Sequence, residues 1–241
     1  MIVSPTRFCT NKTIKRIIEE YCPKNNAAVL DVGCGKGYYH QYFITYQGSY
    51  LGIDIKSHQS WQTKEEKGMH ISFLVHDAEK LPELQQKYEE GFNFIIAIQS
   101  FEHIKNDMEA IKGMKLCLKE EGYILLTVPS RYSFFLYGFH GERRYTIPRI
   151  KQLADENGLQ ICETVDFGGL ATFVLHFLSW TIPAIMTTIM KIKIWNFYKK
   201  HQFMVNLITK LENLAMSADK YIRLLPGGYA VVMRKGDLKR D

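Results

Sequence analysis

Five short apolar runs constrain this chain more than any other feature: AAVLDV (27–32), SYLGID (49–54), HISFLVHD (70–77), FNFIIAIQ (92–99) and EGYILLTVP (121–129). Each has the length and the β-branched or aromatic content of a buried strand. Helix-like stretches separate several of them. GYYHQYFITY follows the first, NDMEAIKGMKLCLKE the fourth, and TIPRIKQLADENG the fifth, starting near Thr146 and closing at Gly158. LQICETVDF and GYAVVMRK read as a sixth and a seventh strand, and apolar spacing predicts an N-terminal helix over about 10–21. Apolar strands alternating with helices imply an α/β fold with a mainly parallel sheet covered on both faces. The 241 residues are one domain's worth, and 46% apolar residues suffice to bury a core.

In such sheets ligands sit beyond the carboxyl ends of the strands. Asp31, the loop Gly33-Cys34-Gly35-Lys36-Gly37, Asp54, Asp77 and the segment after Ile98 all fall at predicted strand ends. A dinucleotide fingerprint, G-x-G-x-x-G, is not matched, because Tyr38 stands where the third glycine is required. A P-loop is not matched either, since no G-K-[ST] follows. Asp31 would repel a pyrophosphate but would suit an ammonium group. A ligand with a cationic amino-acid end and an adenosine end therefore fits, and S-adenosylmethionine is such a ligand. Asp31 with Gly33, Gly35 and Gly37 would hold its aminoacyl part. Asp54 can accept from both ribose hydroxyls, and Asp77 from the adenine amine with Ala78 as the adjacent backbone donor. Ile55 beside Asp54, and Ile98 and Gln99 at the end of the fourth strand, complete the expected cofactor-binding set. The bland alternative for any one acid is capping of the next helix.

VLDVGCGKG, YLGIDIK, LVHDAEKLP, FNFIIAIQSFEHI and LKEEGYILLTVPS resemble, in order, the successive motifs of the class I S-adenosylmethionine-dependent methyltransferases, nearest to the small-molecule branch that includes ubiquinone-biosynthesis O-methyltransferases. The resemblance covers residues 27–165 and returns at 228–234. It implies a Rossmann-like three-layer sandwich of seven strands, mainly parallel, with the last strand antiparallel and inserted beside the fifth. It also implies S-adenosylmethionine as cofactor and O-methylation of a small molecule as the activity. A cofactor-binding module without catalysis is the alternative. Asn93 departs from the family, which has Asp there; that acid is commonly structural.

Methyl transfer is an in-line displacement in which the protein aligns the nucleophile and can remove its proton. Two histidines are candidate bases. His103, in EHI at the end of the fourth strand, has an unperturbed pKa of about 6.5, suited to the role, though it and Glu102 could equally cap the next helix. His140 lies in FHGERRYT, which resembles the H-x-x-R-x-Y/F-T passage of many small-molecule methyltransferases. Arg143 or Arg144 could bind an anionic substrate. No metal is expected, although Glu102, His103 and Asp107 are neighbours in sequence.

Between the sixth and seventh strands lies a helical insertion, 167–225, set into a single domain (1–241) whose cofactor core is 27–165 and 228–235. Phe167 to Met190 contains no Asp, Glu, Lys or Arg, nominally enough for a membrane span. Topology argues against one, because the last strand must return to the same sheet. The insertion reads as an apolar lid, or as a lid resting on a membrane through 167–200, with Trp180, Trp195 and Tyr198 at the interface and Lys191, Lys193, Lys199 and Lys200 facing headgroups. Either reading favours an apolar or lipid-linked small-molecule acceptor. The net charge of +6 carries no aromatic-interleaved basic stripe, so no nucleic-acid partner is expected. Five cysteines without C-x-x-C spacing, and an N-terminus without an apolar signal region, predict a cytoplasmic protein. Oligomeric state is not readable.

Overall fold

The structure, a computed structural model, describes residues 5–133, 143–190, 202–222 and 224–236. Helix α1 (Pro5–Tyr21) precedes β1 (Ala27–Val32) and β2 (Gly48–Asp54). Next come β3 (Lys64–Glu66), β4 (Met69–Val75), α2 (Leu81–Lys87), β5 (Phe92–Ile98), α3 (Asp107–Cys117) and β6 (Leu118–Pro129). Then follow α4 (Ile147–Glu156), β7 (Leu159–Phe167), α5 (Leu170–His176), α6 (Ile182–Met190), α7 (Gln202–Asp219) and β8 (Gly228–Lys235).

The strands form one eight-stranded sheet in the order β3-β4-β2-β1-β5-β6-β8-β7. β1 pairs in parallel with β2 and β5, β2 with β4, and β5 with β6. The last strand runs antiparallel to β7: Gly227 N–H donates to Phe167 O at 3.1 Å at one end, and Gly236 N–H to Gly158 O at 3.0 Å at the other. The seven expected strands are therefore all present. The eighth, β3, is a three-residue edge strand antiparallel to β4. Its sequence, KEE, has no apolar residue, so neither hydropathy nor alternation announced it.

The central strands are buried on both faces, with Val29, Leu30, Phe94, Ile95, Ile96, Leu125 and Val231 all inaccessible to solvent. That explains their near-continuous apolar runs. Edge strand β7 instead alternates buried or half-buried with exposed positions. Two local expectations change. The helix after the glycine loop is only a 3-10 turn, Tyr38–Tyr42, and α1 starts five residues earlier, at Pro5. Thr146 does cap α4, its hydroxyl accepting from Arg149 N–H, and Gly158 follows the helix with a left-handed φ of 59°. Asn93 is structural, as expected. Its side-chain oxygen accepts from Ala28 N–H and its amide donates to Asn26 O, both at 2.8 Å, so it ties the start of β1 to β5. An aspartate could not make the second bond.

The chain falls into two compact units. One, residues 15–128, 141–165 and 230–241, holds the body of the sheet. The other, residues 1–14, 129–140 and 166–229, is the insertion together with the first turns of α1. In this second unit α5 runs through a π turn (Phe177–Thr181) into α6. Pro183 lies just beyond the turn and has no N–H to continue the regular ladder. Asp219 of α7 caps α5, accepting from Ala171 and Thr172 N–H at 2.8 and 3.1 Å. Cys9 of α1 meets the Thr172 hydroxyl at 3.6 Å. Among the described residues no helix is long and apolar enough to cross a membrane.

Candidate cofactor site

The strand order reverses between β1 and β5, and the loops beyond their carboxyl ends open a cleft there. The glycine loop closes on β2: Gly33 and Cys34 N–H both donate to Ile53 O, at 2.8 and 2.9 Å. Its three glycines answer three different demands. All have positive φ, from 51° to 75°. A Cβ on Gly33 would stand 2.4 Å from Ser100 Cβ, at the end of β5. A Cβ on Gly37 would stand 2.5 Å from the Phe73 ring. A Cβ on Gly35 would meet nothing within 4 Å. Gly37 therefore serves packing, and Gly35 is the one that borders open space. Trp61 straps the loop from outside, with its indole N–H on Gly35 O at 2.8 Å and its ring stacked 5.4 Å from Phe73.

The cleft has a volume of about 580 Å³ and is lined by Gly33, Asp54, Ile55, His76, Asp77, Ala78, Glu79, Gln99, Ser100, His103, Ile104 and Lys105. Seven of the expected residues thus meet in one place: Gly33, Asp54, Ile55, Asp77, Ala78, Gln99 and His103. Asp54 accepts from Gly35 N–H at 2.9 Å and from Lys56 N–H at 3.4 Å. A carboxylate has room for further donors on both oxygens. Asp77 caps the short turn that follows it, taking Glu79 N–H on Oδ1 at 3.0 Å. The capping alternative is thus real for Asp77, and the cap occupies one of its two carboxylate oxygens. Ile55 is 63% exposed beside Asp54, an apolar surface suited to a flat ring. Gln99 has a φ of 51°, held by its N–H on Thr127 O and Oγ1, and its buried Nε2 has no hydrogen-bond partner. A strained residue with an orphaned donor at a cleft is a mark of a ligand site.

Of the other expected residues that the structure describes, Asp31, Gly35, Gly37 and Ile98 are not among those lining the cleft. Asp31 sits beneath the loop, 1% exposed, and takes the Tyr50 hydroxyl. Burial pushes its carboxyl up to about 7; the Tyr50 hydrogen bond pulls it down, and nearby Asp54 raises it. Ile98 is buried in the strand and does not line the cleft. His140 lies outside the described residues, as do Trp195, Tyr198 and the four lysines of the insertion. Glu102 is 1% exposed, and burial pushes its carboxyl up to about 7, with Arg144 opposing. Arg143 is engaged: its two terminal nitrogens donate to Ile104 O at 2.8 Å and Lys105 O at 2.6 Å, so its guanidinium is committed to the protein rather than to an anionic substrate. Sequence reasoning missed His76, Glu79, Ser100, Ile104 and Lys105. Each adjoins a strand-end motif, and that adjacency was the available signal. Among the described residues no group of three His, Cys, Asp or Glu side chains could hold a metal ion.

A glycine loop on the first strand of a doubly wound sheet, with acids ending the next two parallel strands, defines a nucleoside-cofactor α/β domain. The chain belongs to the Methyltransferase domain family, which matches its residues 7–192. Solved structures share the fold. A SAM-dependent methyltransferase from Archaeoglobus fulgidus has a TM-score of 0.58 at 16% identity, over 93% of this chain and 94% of that one. The 1,6-didemethyltoxoflavin-N1-methyltransferase of Burkholderia thailandensis, solved with 1,6-didemethyltoxoflavin and S-adenosylhomocysteine, has a TM-score of 0.55 at 13% identity, over 97% and 79%. A tRNA U34 carboxymethyltransferase from Helicobacter pylori (strain P12) is 28% identical over 119 residues, which is 46% of this chain and 43% of that protein.

Proposed function

We propose that the protein binds S-adenosylmethionine in the β1/β5 cleft and methylates a small apolar acceptor, at an oxygen. The observation that carries this reading is the meeting of Gly33, Asp54, Ile55, Asp77, Ala78 and Gln99 in one cleft. The residues fit the cofactor: Asp54 for the ribose hydroxyls, Ile55 and Ala78 for the adenine faces, and the second Asp77 oxygen for its amine. The open space at Gly35 suits the aminoacyl end, and the buried Asp31, held by the Tyr50 hydroxyl, supports the loop from within. When bound, the cofactor supplies an electrophilic methyl carbon. The chain supplies alignment, and His103, exposed on the cleft wall, would take the acceptor's proton. His140 is the second candidate for that proton.

Recognition of the acceptor is assigned to the insertion, whose exposed Val174, Phe177, Leu178 and Ile185 suit an apolar or lipid-linked molecule, or a membrane surface. The Helicobacter tRNA carboxymethyltransferase raises a competing RNA acceptor, though the similarity covers less than half of each chain. Incubation of cell extracts with the protein and labelled S-adenosylmethionine, followed by a mass search for methylated products, tests the reading. A labelled small apolar product supports it, labelled RNA would replace the acceptor class, and no labelled product would remove the catalytic claim.

A further inference from the structure

The cleft wall at Ile104 and Lys105 is irregular backbone between the short turn Phe101–His103 and α3. Backbone of that kind needs outside partners for its polar groups. It has them on two sides. Asn106 N–H donates to Glu79 Oε1 at 3.1 Å. From the opposite direction Arg143 spans two successive carbonyls, Ile104 O and Lys105 O. The same guanidinium lies 3.3 Å from Asp107 Oδ2, and Asp107 is only 6% exposed. Asp107 in turn takes Arg149 at 2.9 Å and the Tyr145 hydroxyl at 3.3 Å. Tyr145 is inaccessible to solvent and packs on Phe101, with ring centroids 5.9 Å apart.

We propose that Arg143 is a positioning residue: by holding the Ile104 and Lys105 carbonyls it sets one wall of the cofactor cleft, and so tunes affinity for the adenosine end of the cofactor. The inference rests on the reading that this cleft takes S-adenosylmethionine. Two features make the residue type matter. A guanidinium presents two parallel donors to two acceptors, which an ammonium cannot reproduce. And Arg149 shares the Asp107 carboxylate but bonds no atom of the wall, so it separates the wall's geometry from the ion pair's contribution to stability.

The test is calorimetry with S-adenosylhomocysteine and 5′-methylthioadenosine on the full chain, with Arg143→Ala, Arg143→Lys and Arg149→Ala, alongside thermal melts and hydrogen exchange. Arg143→Ala should weaken both ligands by the same factor, roughly tenfold, because the loss is at the end they share. Arg143→Lys should recover part of that, and Arg149→Ala should change affinity by less than about twofold at a similar loss of melting temperature. Exchange at the Ile104 and Asn106 amides should rise in Arg143→Ala and not in Arg149→Ala, with or without ligand. Wild-type affinity in Arg143→Ala, equal losses in both alanine variants, or unchanged exchange at the wall would each overturn the proposal. If the wild type binds neither ligand, the cofactor reading fails, and the exchange data alone then decide whether Arg143 sets the wall.

Discussion

Along β1, β5 and β6 the apolar side chains of Val29, Leu30, Ile95, Ile96 and Leu125 are fully buried; along α7 those of Phe203, Leu207, Leu211 and Leu214 are exposed, while Glu212 on the same helix is 3% exposed. The insertion repeats that inversion elsewhere. Thr172 and His176 are buried on α5, and Val174 and Phe177 beside them face solvent. Burial pushes Glu212 up to about 7 and His176 down to about 4, so the imidazole inside this unit is neutral at physiological pH. The sheet obeys the ordinary pattern of apolar inside and polar outside. The insertion departs from it, and departures of that kind concentrate where a surface meets a partner. The comparison sets a region packed as an ordinary core beside one that leaves Val174, Phe177 and Leu214 on its surface while burying Thr172, His176 and Glu212.

The largest effect should come from the packed glycines. Gly33→Val places a branched Cβ against Ser100 at a φ of 73° and should cost on the order of 4 kcal/mol, read as loss of the folding transition in thermal melts. Gly35→Val faces open space; it should fold, with some backbone strain, yet lose S-adenosylhomocysteine binding. If Gly33→Val melts like the wild type, the loop does not approach β5 as described. Next comes Asp54→Ala, which should weaken S-adenosylhomocysteine by about 2–4 kcal/mol, a factor of roughly 30 to 1000, with little change in melting temperature.

A smaller effect, confined to the other region, is expected of Phe177→Asp with Leu178→Asp. Cofactor affinity should hold within about twofold. If the insertion binds the acceptor, turnover should fall, since each 100 Å² of lost apolar contact is worth about 2.5 kcal/mol. If the insertion meets lipid, the wild type should sediment with anionic vesicles and the double variant should not. Unchanged turnover together with unchanged vesicle association would erase the proposed division of labour.

The smallest effect is a pH dependence. Burial raises the Glu102 carboxyl from the usual 4.5 to about 7. The unfolded chain therefore releases that proton first. The group's contribution to stability is complete below about pH 4.5 and is lost as pH rises through 7. Glu102→Gln removes this titration. Its melting temperature should gain on the wild type between pH 5 and 8 by a few degrees, roughly, and a pH-independent difference would contradict the burial.

The two regions also differed in how far the sequence revealed them. Seven strands, the Thr146 cap and the acids at strand ends were legible, because buried strands leave apolar runs and turns leave glycines. β3 was not, since three charged edge residues carry no burial signal. The 3-10 turn after Gly37 was not, because its aromatic spacing also fits an α-helix. The adherence of the first turns of α1 to the insertion was not, because it depends on long-range packing of Cys9 against Thr172. In the site, Asp54 and Asp77 could be placed from strand ends alone. The commitment of Arg143 to Ile104 and Lys105 could not, because nearly forty residues separate them in sequence.

The central claim is that the β1/β5 cleft is an S-adenosylmethionine site. Calorimetric titration of the wild type with S-adenosylhomocysteine, and separately with NAD, addresses it most directly. One saturable site for S-adenosylhomocysteine, sharply weakened in Asp54→Ala, and no heat from NAD are the expected results. Binding of NAD, no binding of S-adenosylhomocysteine, or full affinity in Asp54→Ala would contradict it.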